Sequence, residues 1–205
     1  MIYQGLLRRS LEKYYPYWTV SFDLRPREIV SDYRNILLVN KRGVDGFAVE
    51  GARIPGIYLI RNTSQLLIAT TLNGEYLTIV TPDLPVGIWS NVIVSQTPVN
   101  HLTYNFKVEL DQVTIHEEMN THPVIFDNVD IYTSDPWHKA APVDIRNIDV
   151  LSQPCKLHCF SGTHYHLCPF SLMHIINYAR FYLCLFSLMS GSKNWRESFL
   201  LRNIF

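Results

Sequence analysis

The sequence predicts an all-β chain folded as an antiparallel sandwich. Three observations carry that expectation. First, apolar and polar residues alternate strictly in WTVSFDL (18–24) and YNFKVEL (104–110), the period of a strand with one face on a core and one in water. Second, short apolar runs are separated throughout by Gly, Pro, Asn and Asp, the residues that supply turn dihedrals. Third, no helical period is evident before residue 152.

The elements follow in order. Residues 1–16 form a lead-in, and the first expected strand is 18–24. Apolar runs then predict strands at 35–40, 56–60, 65–71, 76–80 and 88–95. The pair 65–71 and 76–80 is joined by LNGE (72–75). Asn-Gly between apolar strands is the strongest short hairpin signal, because a type I′ turn needs positive φ at both central residues. Strands at 104–110, 113–116, 129–133 and 145–150 complete the set. About ten short strands with frequent turns fit a sandwich better than any mixed fold.

Charge narrows the function. The chain has 18 Lys and Arg against 18 Asp and Glu, so it lacks the basic excess expected of a nucleic-acid partner. The balance hides a division, since residues 1–152 carry 13 basic and 17 acidic residues and residues 153–205 carry 5 and 1. All four cysteines and four of the eight histidines also lie after residue 152. The tail 153–205 is therefore set apart from 17–152 as an irregular or weakly helical Cys/His-rich segment. It reads either as an amphipathic helix or as sequence that is not a true domain. Its apolar run 170–189 is interrupted by His174, Asn177 and Arg180, too often for the ~18 consecutive apolar residues of a membrane span. Cys155, Cys159, His164, His166 and Cys168 suggest zinc, but one residue between the two histidines is a poor ligand spacing. In the lead-in, Arg8 and Arg9 follow the short apolar run instead of preceding it. That is not the order of a secretory signal, so the chain is expected to be cytosolic or an N-terminally incomplete piece of a secreted protein.

Five segments together resemble the laminin-G-like members of the concanavalin A-like lectin/glucanase sandwiches: WTVSFDLRP (18–26), IPGIYLI with SQLLIATTLNG (54–74), LPVGIWSNVIVSQ (84–96), YNFKVELDQVTI (104–115) and VDIYTSDPWHKAAPVDIRNIDV (129–150). The resemblance implies a two-sheet jelly roll, an extracellular setting, and binding of glycans, heparin-like chains or proteins, with calcium in some members. One departure is Asp111-Gln112, where the resemblance leads one to expect a Gly; it predicts a wider hairpin turn. Another is NKRGVDGFAVEGARIPG (40–56), which reads as a long loop.

The turn Asp135-Pro136-Trp137-His138 admits two readings. In one, Trp137 offers a face for a sugar ring while Asp135 accepts hydroxyl hydrogen bonds or binds a cation. In the other, which is favoured, Asp135 caps the turn, Pro136 pre-sets its φ, and Trp137 folds back over the sandwich edge. Trp89 is expected in the core between the sheets. Glu109 and Asp111 share one strand face, but Val113 stands where a third carboxylate would complete a glucanase-type strand. No G-x-S-x-G, phosphate loop, dinucleotide-binding glycine pattern or H-E-x-x-H occurs. Asn62-Thr63-Ser64 is an N-glycosylation acceptor triplet.

Together these features predict a non-catalytic extracellular module that binds a glycan or a protein. The alternatives are a purely structural or adhesive domain and a degenerate glycosidase-fold enzyme. Contact is expected through loops 41–53, 81–87 and 134–142, with Asp45, Asp83, Asp135, Trp137 and His138 as ligand-binding candidates. No cofactor is required, although loop acids including Glu50 would suit calcium if they converged.

Overall fold

The computed structural model describes residues 2–46, 48–100 and 102–154, all within one compact unit, Met1–Leu157. The expectations for the tail, zinc included, lie outside the described residues from Cys155 onward. Among the described residues no helix is long and apolar enough to cross a membrane.

The described residues form strands β1 (Leu6–Tyr14), β2 (Tyr17–Pro26), β3 (Arg34–Lys41), β4 (Gly56–Leu59), β5 (Leu66–Leu72), β6 (Glu75–Val80), β7 (Ser90–Pro98), β8 (Tyr104–Leu110), β9 (Val113–Asn120), β10 (Phe126–Thr133) and β11 (Val143–Gln153). They assemble into a six-stranded sheet, β1-β10-β3-β4-β5-β6, and a five-stranded sheet, β11-β2-β7-β8-β9. Every ladder between these strands is antiparallel. This is the two-sheet antiparallel sandwich that the resemblance implies.

The core is the layer between the sheets. Val20, Phe22 and Leu24 of β2 and Phe106 and Val108 of β8 face Val39, Ile57, Leu59 and Ile68 of the opposite sheet. These are the inward positions of the alternation. Burying each such side chain stabilises the fold by about 1.5–3 kcal/mol.

Three expectations are corrected. The lead-in 1–16 contains β1, the edge strand of the larger sheet. A register shift between Leu7 and Arg9 and an open outer edge break its alternation, so the period was not visible. Trp89 is half-buried outside the core, with the guanidinium of Arg146 4.1 Å and that of Arg25 5.0 Å from its ring centroid. Cation–π contact lets this indole lie on the surface without exposing its whole face. The buried inter-sheet tryptophan is Trp18, stacked on Tyr14 and tilted against Phe106. Finally, the Asp111-Gln112 turn is not wide. Leu110 pairs directly with Val113, and the two turn residues have φ of 50° and 68°. Asp111 tolerates that backbone because its carboxylate accepts from Asn91 N–H at 2.7 Å while its own N–H donates to Asn91 O at 2.9 Å.

The Asn73-Gly74 hairpin has φ of 54° and 80°, as its sequence predicts. Asn73 also ties the two sheets together: its amide donates to Met119 O, and its Oδ1 accepts from Thr121 N–H at 2.8 Å.

Candidate functional site

The outer face of the six-stranded sheet is not an ordinary wet surface. Strands β3 and β4 are buried on both faces over most of their length. Leu38, Ala69 and Tyr58, which alternate with the core residues, are themselves buried. The cover over part of this face comes from the β3–β4 connection. Its descending arm runs beside β3, with Lys41 N–H donating to Gly51 O at 2.8 Å and Ile54 N–H to Val39 O at 2.9 Å. Arg53 then links loop to sheet, donating from Nε to Tyr58 Oη at 2.9 Å and from Nη1 to Gly46 O at 2.7 Å. Burial pushes the Tyr58 hydroxyl up to about 12, against the opposing pull of the Arg53 cation.

The second wall is the β10–β11 connection. Ser134 enters it with φ 68° and donates from its backbone to Ile36 O at 2.9 Å. Asp135 is fully buried. Its backbone N–H donates to Asn35 Oδ1 at 2.7 Å. One carboxylate oxygen accepts from Trp137 N–H at 3.0 Å and His138 N–H at 2.6 Å, and the other lies 2.8 Å from His138 Nδ1. Asn35, also fully buried, donates to Leu37 O and Ile57 O. A chain of hydrogen bonds thus runs from the middle of the sheet through Asn35 and Asp135 to the backbone of Trp137 and the ring of His138.

Two adjacent hollows result. A cleft of about 360 Å³ is lined by Tyr33, Tyr58, Leu67, Thr78 and His138. A smaller one of about 60 Å³ is lined by residues that include Asp45, Gly46, Arg53, Tyr58, Trp137 and His138. Tyr58 and His138 are common to both, with their rings edge-to-face at 5.4 Å. Trp137 stays 54% exposed and Tyr33 44% exposed. Nδ1 is turned to Asp135, and the His138 side chain lines both hollows.

The structure brings Asp45, Asp135, Trp137 and His138 to one place, so loops 41–53 and 134–142 meet. Asp83 is elsewhere: its carboxylate accepts from Ser64 N–H at 3.2 Å and Ser64 Oγ at 3.1 Å, closing the turn before β5. Asp135 is the turn's cap, as the favoured reading has it, and its buried carboxylate is already fully engaged. Trp137 stays more than half exposed while lining the smaller hollow. Asn62 is exposed in a tight turn with φ 59°. Tyr33, Arg53, Tyr58 and Thr78 were not singled out from the sequence. Three of them sit on strands or loops whose relevance depends on which chain segment lies over the sheet; only the polar Tyr58 inside the apolar run GIYLI hinted at a partner on that face.

Among the described residues no group of three or more His, Cys, Asp or Glu is placed to hold a metal ion. Glu109 is paired with Lys107 at 2.8 Å, and Asp111 is spent on its turn.

No protein-family model and no curated protein matches this sequence. Solved structures with a similar outline include a native heptameric SAP-like pentraxin from Limulus polyphemus, at 12% identity and a TM-score of 0.47 over 73% of each chain. A Trypanosoma rangeli sialidase matches at 15% identity and a TM-score of 0.48, over 65% of this chain and 20% of its own. The carbohydrate-binding module CBM66 from Bacillus subtilis matches at 11% identity and a TM-score of 0.40, over 73% of this chain and 83% of its own. At these values the likeness is one of sandwich outline, and no activity is taken from it.

Proposed function

We propose that this chain is a non-catalytic module of an extracellular protein and that it binds a glycan on the outer face of the six-stranded sheet. The observation that carries the reading is Trp137, a large aromatic left 54% exposed beside a cleft while its backbone is fixed by a fully buried aspartate. An indole face accepts the C–H face of a sugar ring, and its rigidity keeps the entropy cost of binding low. His138, Thr78 and Tyr33 line the adjoining cleft, and their polar groups are of the kind that bind the hydroxyl groups of a second ring. The non-catalytic reading is supported by the carboxylates nearby. Asp135 is consumed by three donors, and Asp130 is paired with Arg42 and Ser10. Neither is open to act as acid or nucleophile on a sugar, and Asp45, exposed on the smaller hollow, is a single carboxylate where hydrolysis uses a pair. The extracellular setting is supported by the exposed Asn62 acceptor site.

A glycan and heparin array probed with the full chain, with calcium and with chelator, tests this. Binding that survives chelator and is lost in Trp137→Ala, with the melting temperature unchanged, is the expected result. Silence from folded, monodisperse protein would favour a structural or protein-binding role instead.

A further inference from the structure

On the side of the sandwich formed by the edge strands β1 and β11, the described residues leave the two sheets unsealed. A cleft of about 260 Å³ opens between them, lined by Arg8, Arg9, Ile131, Ile148, Asp149 and Val150. Its floor is apolar. Ile131 belongs to the buried core, and Ile148 and Val150 pack against that core while remaining only half-buried. One lip is cationic. Arg9 pairs in register with Ile131, and Leu11 with Val129, so Arg9 stands on the core-facing side of its strand. Arg8 is the extra residue at the register shift between Leu7 and Arg9, and its Nε donates to Thr133 Oγ1 at 2.9 Å. Asp149 is the single acid on the lining, so the charge around the opening is one positive unit in excess. On β11 a second register shift, between Arg146 and Asp149, lies beside Ile148.

We infer that this seam is a binding site for a single-chain anionic amphiphile, its alkyl chain between Ile131, Ile148 and Val150 and its carboxylate at Arg8 and Arg9. The argument is one of complementarity. An apolar floor opening at the core's edge leaves aliphatic surface in water that an alkyl chain would cover. Two guanidinium groups at its mouth suit a carboxylate, which arginine binds through paired N–H donors. A neutral chain would meet the same floor but leave the cations unmatched. An inward charge on an edge strand also discourages pairing with another chain; that role alone involves no ligand, and the two are separable by experiment. Its lining shares no residue with the hollows beside Trp137, so it stands independently of the glycan reading.

The test is calorimetric titration of the full chain with sodium decanoate below its micellar concentration, with decanol as the neutral control. Saturable binding of one decanoate per chain, weakened about tenfold in Arg9→Gln, is expected. Val150→Trp, which fills the cleft, should abolish it. Arg9→Gln decides the matter if Val150→Trp fails to fold, since Arg9 is an exposed edge residue whose loss should leave the melt unchanged. Three results would each overturn the inference: no saturable binding, equal binding of decanol, or decanoate affinity unaltered in Arg9→Gln. Uptake of many decanoates per chain with loss of tertiary signal would do so as well, because it reports unfolding.

Discussion

Replacing Asp135 should loosen the Trp137 turn, and the size of the effect can be worked out. The side chain is fully buried and accepts three hydrogen bonds, from Trp137 N–H, His138 N–H and His138 Nδ1. In Asp135→Ala two backbone donors lose their partner, and each buried donor left unsatisfied costs about 1–3 kcal/mol. The turn lies at the surface, where Trp137 and the half-exposed His138 admit water, so the lower part of that range applies to each. A total of about 2–4 kcal/mol follows. In a domain of this size that lowers Tm by about 4–16 °C. Asp135→Asn keeps one carbonyl oxygen for both backbone donors and loses only the oxygen that faces His138 Nδ1, at about 1 kcal/mol. Thermal melts and urea titrations of the full chain measure both variants. The order Ala well below Asn, and Asn slightly below the parent, is expected. If Asp135→Ala stayed within 0.5 kcal/mol of the parent, roughly the size of a neutral surface change, the claim that this carboxylate organises the site would be refuted.

Three more expectations follow from particular residues. Tyr14 is buried and its hydroxyl has no hydrogen-bond partner among the described residues, so Tyr14→Phe should hold or slightly raise stability; a loss above about 1 kcal/mol in urea would count against this. Gln112 sits at φ 68° in a two-residue turn, and Gln112→Gly should raise stability by about 0.5–1 kcal/mol by removing the Cβ strain of the left-handed region, whereas a lower urea midpoint would show the strain is absent. Three aspartates are held below the ordinary carboxylate range, Asp144 by Arg27 and Arg25, Asp130 by Arg42, and Asp23 chiefly by the Asn91 amide. A depressed folded-state value means the stabilisation is complete above the unfolded value of about 3.9 and is lost as pH falls through the folded values. Urea midpoints should therefore be insensitive to these groups near neutrality and fall below about pH 4, and Asp144→Asn should flatten that fall; an unchanged slope in this variant would count against the Arg25–Asp144–Arg27 cluster.

The alternation in 18–24 and 104–110 determined which side chains of β2 and β8 enter the core, because a strand's two faces are fixed by its period. Asn73-Gly74 determined its own hairpin, because positive φ at two adjacent positions is a local property of those residues. β1 escaped because an edge strand with a register shift need not alternate. Trp89 was misplaced because it lies just before β7, where the strand period does not decide whether the aromatic turns inward or lies against Arg25 and Arg146. The candidate site was only half legible: the Asp135 turn could be read as a cap, but not the exposure of Trp137 or its meeting with Arg53 and Tyr58. Those contacts join segments some eighty positions apart in the chain. Sequence period assigns a residue to a face of its own strand. What covers that face depends on the path of a distant loop, and only the packed tertiary structure decides it.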